Sequence, residues 1–148
     1  MTALATGQVD AFEIAGGIGI DDLRGDFRSA VGLEVRTNPL WSNRHGALGL
    51  AAALEADDDV WVGAGPLLLA PLSSRWRIEL SVMLGWYHDG GGNHLGSDFP
   101  MFRSQIGVNY AVAELWRIGV AVNHKSNART AQRNPGVETI YVTLARRF

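Results

Sequence analysis

The sequence predicts an all-β fold, an eight-stranded antiparallel up-and-down transmembrane β-barrel, and three observations predict it. Hydrophobic residues alternate with period 2 through most of the 148 residues, the spacing of strands with one apolar face. Connections in the second half alternate between short and long, as they do when tight turns close one end of a barrel and loops the other. The composition is unusual for a soluble domain: 18 glycines and 5 tryptophans accompany only 19% charged residues, against roughly a quarter as the norm. Length and patterning together are read as one outer-membrane barrel domain over residues 1–148.

The same composition excludes several classes. There is no cysteine, so disulfide scaffolds, thiol catalysis and cysteine-based zinc sites are out. Thirteen Lys+Arg against 15 Asp+Glu lack the basic excess of a general nucleic-acid binder. No apolar run reaches 18 residues, so no membrane-spanning helix is predicted. Met1–Gly7 has neither the basic nor the apolar region of a secretory signal, so a leader is read as absent from this chain.

The strands follow in order. Ala11 to Ile20 places Phe12, Ile14, Ile18 and Ile20 on one face, and Asp26 to Arg36 sets Phe27, Val31, Leu33 and Val35 against Arg28, Glu34 and Arg36. Gly46 to Ala56 carries Leu48, Leu50 and Leu54. Val60 to Ala70 is the weakest, because Pro66 lacks a ladder donor and Leu67-Leu68-Leu69 interrupts the alternation, so a bulge is expected there. Arg75 to Tyr87 is the clearest: Trp76, Ile78, Leu80, Val82, Leu84 and Trp86 form an apolar face ending in Trp on both sides. Met101 to Ala113 repeats the design with Phe102, Ile106, Val108 and Tyr110 against Arg103, Gln105 and Asn109. Trp116 to Val122 and Val137 to Phe148 complete the eight, the last ending in an aromatic on its apolar face. Ser73-Ser74 and Glu114-Leu115 are the tight turns, and His88 to Pro100 and Asn127 to Gly136 the long loops.

A soluble lipocalin-type barrel would turn the apolar face inward and show a Lys- and Glu-rich outside. This chain has one lysine, Lys125, and its polar faces interleave Arg and Glu with Gly and Ala, which suits a narrow hydrogen-bonded lumen. The apolar face therefore points to lipid.

Of the four histidines, His88 and His94 sit in a Gly-rich loop with Asp89 and Asp98, but the spacing matches no metal-ligand pattern, and no metal or cofactor is expected. His45 stands apart, and His124 is different again. It extends the face of Trp116, Ile118, Val120 and Val122, and Ser126 follows on the same parity, about 6.6 Å on at Cα. Glu138 shares parity with Ile140, Val142 and Leu144. If residue 124 pairs with 138, then 122 meets 140, 120 meets 142 and 118 meets 144, and every pair below the polar one is apolar on apolar. His, Ser and Glu then cluster outside the barrel at the long-loop rim, where polar groups facing lipid cost about 0–1 kcal/mol. Neutral His124 would take the proton of Ser126, and Glu138 would fix the tautomer and stabilise the imidazolium. The alternative is a non-catalytic small outer-membrane barrel serving as anchor or adhesion surface, with these residues merely closing a strand.

The segments His124-Lys125-Ser126-Asn127-Ala128 and Asn134-Pro135-Gly136-Val137-Glu138 resemble the signature of the lipid A 3-O-deacylase (PagL) family. The resemblance implies a bacterial outer-membrane esterase that removes the ester-linked 3-hydroxyacyl chain at position 3 of lipid A, with lipopolysaccharide as substrate, the active site at the outer leaflet, and a homodimer as a possible assembly. It implies His124 as base, Ser126 as nucleophile, Glu138 as orienting acid, Asn127 as oxyanion donor and Asn134 as a loop-shaping residue. Lys125 stands where an aromatic residue is expected and Arg129 where a small one is common. Either cation would suit the phosphates of lipid A, and the Arg129 N–H is a second candidate oxyanion donor.

Overall fold

The computed structural model describes residues 12–91 and 95–148, and the described residues build a closed antiparallel barrel. Eight long strands, β1 (Phe12–Asp21), β2 (Arg28–Thr37), β4 (Gly46–Ala56), β5 (Val60–Pro71), β6 (Trp76–His88), β7 (Met101–Ala111), β8 (Trp116–Ser126) and β9 (Val137–Arg147), form the wall. A three-residue strand, β3 (Trp41–Asn43), adds a small hairpin beside β4. Each long strand pairs with its sequence neighbour, β2 pairs β4, and β1 pairs β9 to close the sheet, so no long strand keeps a free edge. Ala11, His94 and the first seven residues lie outside the described residues.

The eight long strands match the expected ones within a few residues at each end. The largest change is β8, which continues past Val122 to Ser126, so His124 and Ser126 stand on regular strand geometry. The bulge expected near Pro66 does not occur. β5 keeps one register with β6 on both sides of the proline, Ala64 opposite Leu84 and Leu67 opposite Ser81, and only the ladder positions of Gly65 and Pro66 are unpaired on that side. A missing N–H breaks a hydrogen bond without requiring an extra residue. The Leu67-Leu68-Leu69 run keeps its alternation as well: Leu67 is buried in the lumen and Leu68 faces out.

The run reads as apolar because this part of the lumen is apolar. Ala51, Ala53, Trp61, Leu67, Met83, Met101 and Val137 pack together inside the barrel. The rest of the lumen is ionic. Arg36 meets Glu13, Glu34 and Glu79 at 2.7–2.8 Å, Arg77 bridges Glu13 at 2.6 Å, and Arg103 reaches Glu55 at 2.8 Å. A cavity of about 30 Å³ beside Arg36, Arg103 and Tyr141 has room for no more than a water or two. With its interior filled by its own side chains, the barrel offers a substrate only its rims and its outer wall.

Candidate active site

Loop residues 22–27, 57–59, 89–91, 95–100 and 127–136 meet at one end of the barrel, and the turns 72–75 and 112–115 lie at the other with Phe148. At the loop end, β8 and β9 pair in a register that keeps the apolar ladder intact: His124 opposite Glu138, Val122 opposite Ile140, Val120 opposite Val142, Ile118 opposite Leu144. A slip of one residue would turn Thr139, Tyr141 and Thr143 to lipid and Ile140, Val142 and Leu144 into the lumen.

His124 Nδ1 lies 2.9 Å from Glu138 Oε1. A carboxylate only accepts, so Nδ1 carries the proton, and in the neutral ring Nε2 is the nitrogen with the lone pair. Ser126 stands two residues along on the same face of β8, and all three side chains are partly shielded at the rim. Two residues of this site were missed by sequence reasoning. Arg24, in the β1–β2 loop, donates from Nη2 to the same Glu138 Oε1. It is far from Glu138 in sequence, and nothing local marks it. Gly136 backs the imidazole: with φ at +68° it sits in the left-handed region, and a Cβ there would lie 2.6 Å from His124 Cε1. Its signal was present in Asn134-Pro135-Gly136, a segment that the sequence analysis placed in the family signature without giving the glycine a role.

After Ser126 the chain makes a tight, strained corner, with Ala128 at φ 52° and Arg129 at φ 65°. Asn127, fully buried, holds it. Both hydrogens of its side-chain amide are spent, one on the Leu95 carbonyl at 2.9 Å and one on the Arg133 carbonyl at 2.6 Å. Its Oδ1 accepts the Arg129 N–H at 2.9 Å, and its own N–H donates to Asn134 Oδ1 at 3.0 Å. The Asn127 side chain therefore has no donor left for an oxyanion, and the Arg129 N–H is engaged too. The Ala128 N–H makes no hydrogen bond among the described residues.

The expectation that Lys125 meets lipid phosphates is corrected by parity. It alternates with His124 and Ser126 and so points into the lumen, where its Nζ lies 3.2 Å from Asp21 and 3.1 Å from Glu55. Arg129 is exposed in the loop. His45 lies at the far end of the barrel, bonded to Arg44, and His88 ends β6.

The family model described as lipid A 3-O-deacylase (PagL) matches residues 27–147. This chain belongs to the lipid A 3-O-deacylase family. Within that family it is similar to the lipid A deacylase PagL of Bordetella bronchiseptica (strain ATCC BAA-588 / NCTC 13252 / RB50), 27% identical over 163 residues that cover 99% of this chain and 91% of the relative. The fold matches the crystal structure of the outer membrane enzyme PagL with a TM-score of 0.75 at 19% identity, over 92% of this chain and 99% of that one. Neisserial surface protein A matches with a TM-score of 0.69 at 14% identity, over 93% of this chain and 97% of that one. A de novo designed transmembrane β-barrel matches at 0.63 and 10% identity, over 94% and 96%. The family member described here is thus an outer-membrane β-barrel, and a fold shared with a surface protein and a designed barrel leaves its chemistry to be argued from the rim.

Proposed function

We propose that this protein hydrolyses the ester-linked 3-hydroxyacyl chain at position 3 of lipid A, using Ser126, His124 and Glu138 on the outer wall at the outer leaflet. The observation that carries this reading is the 2.9 Å contact of His124 Nδ1 with Glu138 beside Ser126, on the lipid-facing side of a family member's barrel.

The substrate lies in the leaflet with its acyl chains along the apolar wall below Glu138, so the ester arrives at Ser126 without leaving the membrane. Ser126 Oγ attacks the carbonyl carbon as His124 Nε2 takes its proton. Charge collects on the carbonyl oxygen. The Asn127 side chain is occupied, so the donor is backbone, and the Ala128 N–H is the group the corner leaves available. Collapse breaks the bond to the sugar oxygen, which takes the proton back from His124, and the acyl group remains on Ser126. Water, deprotonated by the same imidazole, releases a 3-hydroxy fatty acid and restores the serine. Glu138 holds the imidazole and balances its charge throughout, and Arg24 and Gly136 hold Glu138 and His124 in place.

Mass spectrometry of lipid A after incubation with detergent-refolded protein tests this. The parent chain removes one 3-hydroxyacyl group and Ser126→Ala, equally folded, removes none. An unchanged spectrum with well-folded parent protein would leave the non-catalytic barrel as the reading.

A further inference from the structure

The outer wall is dented toward the short-turn end. Gly16 faces outward between Leu33 on β2 and Leu144 on β9, and a Cβ built on it meets nothing within 4 Å. Around this gap a trough of about 790 Å³ crosses β8, β9, β1 and β2, its floor formed by residues such as Ile14, Ile18, Ile118 and Leu144. Its wall is apolar apart from Thr143 and one charged residue. Arg146 lines the trough on the lipid-facing side of β9, its guanidinium carbon 5.3 Å from the Trp116 ring centre and 4.6 Å from that of Phe148. No carboxylate pairs with it among the described residues.

A guanidinium held close to two rings at the edge of an apolar trough is half of an amphiphile's binding site. The ligand that completes it has an anionic head and a hydrocarbon tail. Arg146 lies eight residues along β9 from Glu138, about 26 Å of strand, at the end opposite the catalytic rim. The head therefore belongs to the leaflet on the short-turn side, away from the substrate of the proposed reaction. We propose that the trough binds an anionic glycerophospholipid of that leaflet, its phosphate on Arg146 and an acyl chain across the notch at Gly16. The notch gives a chain a seat that the surrounding Ile and Leu side chains deny elsewhere, and the two aromatic rings hold the guanidinium out at the depth of a headgroup.

The test uses the full chain in detergent micelles doped with equal amounts of phosphatidylglycerol and phosphatidylcholine of identical acyl chains, with native mass spectrometry reading the lipid retained. The parent protein retains phosphatidylglycerol several-fold over phosphatidylcholine, and Arg146→Gln removes the preference. Gly16→Leu, grown from a Cβ that meets nothing within 4 Å, fills the notch and lowers retention with the charge untouched. Arg75→Gln, at the same end but outside the trough, where Arg75 donates to the Tyr110 hydroxyl at 2.9 Å, leaves the preference intact. Equal retention of both lipids by the parent would overturn the proposal. So would an Arg75→Gln effect as large as that of Arg146→Gln, which reduces the site to a diffuse positive collar. If Arg146→Gln does not fold, unchanged phosphatidylglycerol retention by Gly16→Leu overturns it alone.

Discussion

Glu138 serves two partners, and they differ in what they contribute. In the proposed reaction His124 needs its hydrogen bond for the right tautomer and for charge balance in the transition state, so Glu138→Gln is expected to lower kcat by well over tenfold. Arg24 is 75% exposed at its side chain, and an exposed ion pair contributes about 0–1 kcal/mol. Arg24→Gln should therefore reduce kcat no more than about fivefold, with KM nearly unchanged. Initial rates of acyl release from lipid A compare the two, and equal losses would show Arg24 to be more than a positioning residue. Gly136→Ala makes a sharper case. The methyl group would come 2.6 Å from His124 Cε1 on a backbone at positive φ, so the ring has to move. Activity is expected to fall at least tenfold while the thermal midpoint drops only a few degrees, as for a loop position costing about 1–2 kcal/mol. Wild-type activity in folded Gly136→Ala protein would refute the close packing.

At the scale of the element, the strands alternate because each must satisfy two solvents. The outward residues meet lipid, and the inward ones meet a lumen that is apolar around Met83 and Leu67 and ionic around Arg36. Arg36 ties β2 to β1 and β6 through Glu13 and Glu79, with its side chain 4% exposed. Arg36→Met would leave buried carboxylates short of a counter-charge, a change that typically costs about 3–5 kcal/mol. Urea unfolding in vesicles or detergent should show that loss as a lowered midpoint; a shift below about 1 kcal/mol would mean that Arg77 and lumen water replace it. The ladder gap at Pro66 shows the opposite economy: β5 loses strand pairing at Gly65 and Pro66 on one side and keeps its register, because β4 pairs it without a break from Ala56 to Ala47.

For the whole molecule, the outward side chains are the decisive quantity. Ile18 and Val142 are 71% and 62% exposed, and a band of Leu, Ile, Val and Trp covers the wall around them. Patches this large are not left to water in a soluble monomer. Refolded protein should stay monodisperse only with detergent or lipid, and light scattering after dilution below the critical micelle concentration should show aggregation. A monodisperse protein in plain buffer would argue for a barrel turned inside out. Because the lumen is packed by its own residues, the proposed chemistry falls to the rim where loops and lipid meet.

Period-2 patterning is a local property, so the strands, their faces and the outward placement of His124, Ser126 and Glu138 were legible in the sequence. The pairing of residue 124 with 138 was not fixed there, since a slip of two also keeps apolar opposite apolar, and it is the closed barrel that sets His124 opposite Glu138. The direction of Lys125 followed from the same parity, yet its charge suggested a phosphate; the buried Asp21 and Glu55 that claim it come from strands far away in the chain. Arg24 on Glu138, Gly136 against the imidazole, the full commitment of the Asn127 amide and the notch at Gly16 depend on which loops and strands closure brings side by side. Alternation fixes which way a side chain points, and only the closed sheet decides what it meets there.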